Sequence, residues 1–134
     1  PEEDRIPPEL ERALAVVQGG IRSAAAVLRP GVAGWEVDRV ARQALEEAGY
    51  PEFQHALGHQ VGTRAHDGGA LLGPRWERYG DLVTRPVEEG QVYTLEFGVR
   101  TSRGYVGQEE MVRVVPGGCE FLSPLQGGFW IIPG

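Results

Sequence analysis

The chain has 134 residues, enough for one domain with a modest core and too few for two ordinary ones. Apolar residues make up 41% and charged residues 24%, the balance of a globular rather than a disordered protein. A net charge of −6 excludes nucleic acid as a default partner, because phosphate binding depends on clustered cations, and no apolar run is long enough for a membrane span.

Arginine is the sole basic residue besides three histidines, and Cys119 stands alone, so no disulfide can close within the chain. A reducing cytoplasm is the compartment this cysteine usage predicts. Residues 1–7, rich in proline and acid, read as a connector that leads into a helix and raise the possibility that the chain is the later part of something longer.

From Pro8 onward, Leu10, Leu14, Val17, Ile21, Ala24 and Leu28 recur at spacings of three and four, the buried stripe of an amphipathic helix. Gly19 and Gly20 weaken it, and the Arg29-Pro30-Gly31 stretch ends it. A second helix is predicted from about Trp35 to Ala48, with Val37, Val40, Ala41, Ala44 and Leu45 inward and Gly49 as its cap. The short turn between the two predicts a helical hairpin.

After Tyr50 glycine appears every few residues and helical periodicity is lost. Alternation returns in QVYTLEFGVR, where Tyr93, Leu95, Phe97 and Val99 face one way and Thr94, Glu96 and Gly98 the other. RGYVGQEEMVRVV supplies a second strand, and PGG turns the chain into a short third. Helices followed by antiparallel strands define an α+β fold, a hairpin packed on one face of a sheet.

All three histidines fall in FQHALGHQVGTRAHDGG. His55 and His59 are four apart, the spacing of the zinc-binding HExxH helix, but Gly58 and Gly62 flank His59 and Ala56 stands where that motif has its glutamate. An extended or looping segment fits instead, and loop histidines without a ligand remain an open alternative. Glu96 sits in the middle of the most apolar strand, where a carboxylate needs an arginine, a metal or open solvent. Glu109 and Glu110 are adjacent in the next strand, so alternation sends them to opposite faces and only one can join Glu96. One histidine with two carboxylates is a sensible donor set for a divalent transition metal.

HALGHQVGTRAHDGG, VYTLEFGV and YVGQEEMVRVVPGGCEFLS together resemble three successive motifs of the pita-bread metallopeptidases, which include methionine aminopeptidase, aminopeptidase P and Xaa-Pro dipeptidase. The similarity is strongest to the Xaa-Pro branch and, with the hairpin, covers nearly the whole chain. It implies that His59, Glu96 and Glu109 ligate metal, that Glu96 also handles the proton, and that Glu110 supports the ligands from behind. His55 and His66 then line the substrate site, His66 helping to stabilise the tetrahedral intermediate. The implied reaction is hydrolysis of an N-terminal residue, often one preceding proline, by a hydroxide held on two divalent ions of manganese, cobalt or zinc. The resemblance further implies a cytoplasmic homodimer.

Two departures bear on substrate preference. Phe97 stands where the family has proline, and Gly107 and Gln108 stand where it often has a basic residue. A larger departure concerns two aspartates that complete the family's site upstream of the hairpin. Asp4, in the connector, and Asp38, read as lying on the polar side of the second helix, have no such strand context. Residues 8–134 therefore resemble the C-terminal half of a catalytic domain, whose partner is the N-terminal half. Alone it is expected to bind metal weakly, to hydrolyse peptides poorly, and to expose an apolar sheet face. The alternative is a non-catalytic relative that binds peptides or a protein partner.

Overall fold

The computed structural model describes residues 5–132, so Asp4 and the first residues of the connector lie outside it. Helix α1 spans Pro8–Val27 and opens on a proline in its first turn, where the missing N–H has no intrahelical role. Helix α2 spans Gly34–Glu47, and Glu36 reaches back to the Ala33 amide at 3.0 Å, one arm of a capping box. Gly49 closes α2 with φ +83° while the Tyr50 amide bonds the Leu45 carbonyl, a left-handed cap that glycine adopts without strain.

Five strands follow: β1 (Gly58–Val61), β2 (Leu71–Leu72), β3 (Val92–Thr101), β4 (Gly104–Val115) and β5 (Gly118–Phe121), with 3-10 turns over Glu77–Thr84. They form one sheet in the order β2-β1-β3-β4-β5, antiparallel throughout. The α+β class, the hairpin, the two long strands β3 and β4 and the short β5 stand as the sequence predicts. β1 and β2 do not show in the sequence, because two to four residues carry no periodicity.

α1 lies across β3, β4 and β5, and α2 lies against β2 and the 3-10 turns. The core between them is built from Val17, Ile21, Ala24 and Leu28 of α1, Val37, Ala41 and Leu45 of α2, and Tyr93, Leu95, Phe97 and Val99 of β3. Gly20 sets the depth of that packing. A Cβ there would sit 2.3 Å from the tip of the Phe97 ring, so only glycine lets the helix settle onto it.

The inward face of α2 differs from the expected one. Val40 and Ala44 are only partly covered, while Asp38 (2% exposed) and Arg42 are buried beside Val37, Ala41 and Leu45. Asp38 is thus not on the polar side of the helix. The segment after α2 runs against it with unpaired backbone groups, and a charged pair satisfies them where an apolar row could not.

The sheet face away from the helices carries Thr94, Glu96 and Gly98 of β3 opposite Met111, Glu109 and Gly107 of β4. It is not the apolar face expected from the sequence. The large exposed apolar side chains are Tyr105, Leu122 and the run Phe129, Trp130, Ile131 and Ile132.

Candidate metal centre

β1 and β3 deliver the first two candidate ligands. Gln60 and Val61 pair with Tyr93 and Val92, the Glu96 amide bonds the Leu57 carbonyl at 2.7 Å, and the His59 amide bonds Thr94 Oγ1 at 3.1 Å. Gly58 makes this approach possible, because a Cβ at that position would lie 1.9 Å from the Thr94 carbonyl oxygen. The outcome is a contact of 3.8 Å between His59 Nε2 and a Glu96 carboxylate oxygen.

β4 delivers the third. Glu96 and Glu109 are direct cross-strand partners, so their side chains leave the sheet on the same face. Burial first, then the hydrogen-bonding and repulsive reach of Glu109, together raise the Glu96 carboxyl to about 7, against a smaller pull from His66. Two carboxylates held together are stable only with a shared proton or a cation between them.

Glu110 points the other way, as alternation requires. It is buried on the α1 side, accepts from Gln108 Nε2 at 2.6 Å and from the Gln126 amide at 3.3 Å, and so ties down the segment after β5. The supporting position behind the ligands that resemblance assigns to it is on the opposite face of the sheet from Glu96.

The other two histidines flank the site from different sides. His66 comes from the loop after β1, which Asp67 folds back through bonds to the Thr63 amide and hydroxyl, and its ring stacks on that of His59 with centroids 3.9 Å apart. His55 meets the edge of Phe53 and lines an open cleft of about 580 Å³ together with Glu96, Tyr105, Gln108 and Glu109.

The donor chemistry suits a divalent ion: one imidazole nitrogen and two carboxylates. His59 Nδ1 lies 3.3 Å from the Gln60 carbonyl, a contact that leaves Nε2 as the lone pair facing Glu96 when Nδ1 carries the proton. The set is not closed. Among the described residues no group of three or more histidine, cysteine, aspartate or glutamate side chains is gathered tightly enough to hold an ion. The residues therefore fit a metal as contributors to a larger donor set.

Sequence reasoning passed over the pair that positions this segment. Arg42 donates to both oxygens of Asp38 and to the carbonyls of Phe53 and His55, while Asp38 accepts from the Leu57 amide at 3.2 Å. Burial pushes the Asp38 carboxyl up, against the pull of the guanidinium and the Leu57 amide. The signal was the i, i+4 spacing of opposite charges one step from the apolar stripe.

A helical hairpin on one face of an antiparallel sheet, with a histidine and paired glutamates on the other, is the arrangement of a pita-bread metallopeptidase, and the chain belongs to metallopeptidase family M24, whose pattern matches residues 4–116. It is 35% identical over 97 residues to an Xaa-Pro dipeptidase of Pyrococcus horikoshii, an alignment that covers 71% of this chain and 25% of that protein. Among solved structures it is similar to an X-Pro aminopeptidase from Thermotoga maritima, with a TM-score of 0.83 at 28% identity over 96% of this chain and 34% of the other. A prolidase from Pyrococcus furiosus superimposes with a TM-score of 0.79 at 25% identity, covering 92% and 35%. The chain thus spans about a quarter of the length of the curated relatives it matches. No helix among the described residues is long and apolar enough to cross a membrane.

Proposed function

We propose that this chain contributes one side of the active site of an Xaa-Pro-type metallopeptidase, acting in the cytoplasm as a homodimer on peptides with proline after the N-terminal residue. The observation that carries the reading is the 3.8 Å contact of His59 with Glu96, itself paired in register with Glu109 on the open sheet face. In this reading residues 8–134 form the C-terminal part of the catalytic domain, preceded by the connector over residues 1–7.

His59, Glu96 and Glu109 would hold divalent ions of manganese, cobalt or zinc, two in the complete site. When bound, such ions supply Lewis acidity and make a water nucleophile available near neutral pH. Glu96, in reach of both His59 and Glu109, takes and returns the proton. His66 stands beside the ligating ring and supports the developing negative charge on the substrate, and His55 lines the cleft that receives the peptide. Three donors leave the charge of two ions half balanced, so the isolated 134 residues bind metal weakly and turn over little peptide.

Zinc titration by calorimetry tests the reading on the wild type and on His59→Ala, Glu96→Gln and Glu109→Gln, with and without a polypeptide that supplies the missing half of the domain. Each substitution should weaken binding, and the added half should strengthen it and confer hydrolysis of Ala-Pro. Unchanged binding in all three variants would sink the site assignment. Rapid hydrolysis by the isolated chain would sink the half-site reading. Peptide binding without turnover in the complete assembly would establish the non-catalytic binding module instead.

A further inference from the structure

The cross-strand pair Gly98 and Gly107 lies one step along the sheet from Glu96 and Glu109, on the same face. The space above this pair is filled. A Cβ at Gly98 would lie 2.3 Å from the Val106 carbonyl oxygen and 2.5 Å from Tyr105 Cζ and Oη, and one at Gly107 would lie 2.7 Å from Tyr105 Cε1. The Tyr105 ring is therefore laid flat across both glycines, with its hydroxyl directed over Gly98, and two residues without side chains form its floor.

That placement makes Tyr105 the wall between two clefts. On one side is the cleft of about 580 Å³ that holds Glu96, Glu109 and His55. On the other is a smaller one of about 290 Å³ lined by Phe53, His55, Val99 and Arg100. The Tyr105 side chain is 56% exposed, and among the described residues its hydroxyl has no hydrogen-bond partner. Such a group, fixed by its floor and unsatisfied by the protein, is available to a ligand in the carboxylate cleft. Arg100, the cross-strand partner of Tyr105, lines the smaller cleft on the other side of the ring, so the Tyr105 hydroxyl is a neutral hydrogen-bonding group at this end of the carboxylate cleft.

We infer that Tyr105 is a substrate-positioning and specificity-determining residue, its hydroxyl donating to a backbone carbonyl of a peptide lying along Glu96 and Glu109, with Gly107 leaving the space that its ring occupies. This rests on the peptidase reading above and extends it to the recognition of an uncharged part of the peptide. It also accounts for Gly107 at a position where a longer side chain would occupy the space of the tyrosine ring.

Ring-proton NMR of the zinc-loaded chain, which has four tyrosines, follows weak binding directly. The probes are Ala-Pro-Ala and its analogue in which the first carbonyl is reduced to methylene. The tripeptide should shift the Tyr105 signals, and Tyr105→Phe should weaken it about three- to tenfold, the range of one neutral hydrogen bond. The reduced analogue should bind both proteins alike. Gly107→Ala should reproduce the loss, because its new methyl meets the ring and leaves the backbone in place. Equal tripeptide affinity in wild type and Tyr105→Phe, with binding abolished in His59→Ala, would overturn the role of Tyr105 and leave the site standing. A wild type whose tyrosine signals respond to neither peptide, with zinc still bound, would overturn the placement of the peptide beside Tyr105 and leave the metal-site reading standing.

Discussion

The Arg42 guanidinium grips the Asp38 carboxylate through two bonds, 2.8 Å from Nε and 2.9 Å from Nη2, one helical turn apart in α2 and buried. The same two side chains bind the backbone of Phe53, His55 and Leu57. Leu57 in turn bonds Glu96 through its carbonyl. One ion pair thus connects α2 to the segment that carries His55 and His59 and, through it, to the strand that carries Glu96.

Breaking that pair leaves a buried charge without a partner. Arg42→Met and Asp38→Asn are each expected to destabilise the chain by roughly 3–5 kcal/mol, measured as the shift of the denaturant midpoint. Arg42→Lys should recover little, because an ammonium cannot bond two carboxylate oxygens and two carbonyls with a planar fork. Amide exchange at residues 55–59 should accelerate more than exchange in α1. Uniform acceleration across the chain would show that the pair supports the fold without positioning the segment.

Gly58 is a point of close approach between β1 and β3. Gly58→Ala places a methyl 1.9 Å from the Thr94 carbonyl oxygen, and backbone cannot swing aside as a side chain can. The expected cost is about 1–3 kcal/mol of stability, the range for overpacking. Because His59 is the next residue, zinc affinity should fall with it. Stability lost while zinc affinity is kept would show that His59 reaches its place independently of the strand pairing.

Much of this was legible in the sequence, and the parts that were not have physical causes. The α1 stripe and the alternation of Tyr93, Leu95, Phe97 and Val99 recur over enough residues to announce their elements, and both faces were assigned correctly. Alternation allowed only one of Glu109 and Glu110 to share a face with Glu96, the family resemblance pointed to Glu109, and the register pairs that residue with Glu96. β1 and β2 are too short for a period to show. The inward turn of Asp38 and Arg42 is a tertiary effect: the partners are backbone groups of Phe53, His55 and Leu57, which no side-chain pattern records. Likewise, nothing in the letters YVG says that the tyrosine ring lies across two glycines.

The two glycines inside α1 should respond in opposite ways. A Cβ at Gly19 meets nothing within 4 Å, so Gly19→Ala should stabilise the chain by about 1 kcal/mol through helix propensity. A Cβ at Gly20 meets Phe97 Cζ at 2.3 Å, so Gly20→Ala should destabilise it despite the same gain in propensity. Thermal midpoints of the two variants measured side by side decide it. A stabilising Gly20→Ala would mean that the Phe97 ring has somewhere else to go.

Tyr93 supplies a pH dependence whose sign is fixed by its burial. It is fully buried in β3, its hydroxyl donates to Gln91 Oε1 at 2.7 Å, and burial raises its ionisation from 10 to about 12. The folded state therefore holds this proton through a window in which the unfolded chain has already released it. The stability it contributes is complete below pH 10 and is lost as the pH rises toward 12, on the order of 2–3 kcal/mol across the window. Tyr93→Phe lacks both the hydrogen bond and the titration. At pH 8 it should be less stable than the wild type by about 1 kcal/mol, the net worth of one hydrogen bond. Between pH 10 and 12 the wild type should lose its advantage while the variant declines less steeply, because the remaining tyrosines titrate in both. Denaturant midpoints taken at intervals of pH follow the two curves, and parallel curves would show that the Tyr93 hydroxyl ionises at the same pH folded and unfolded.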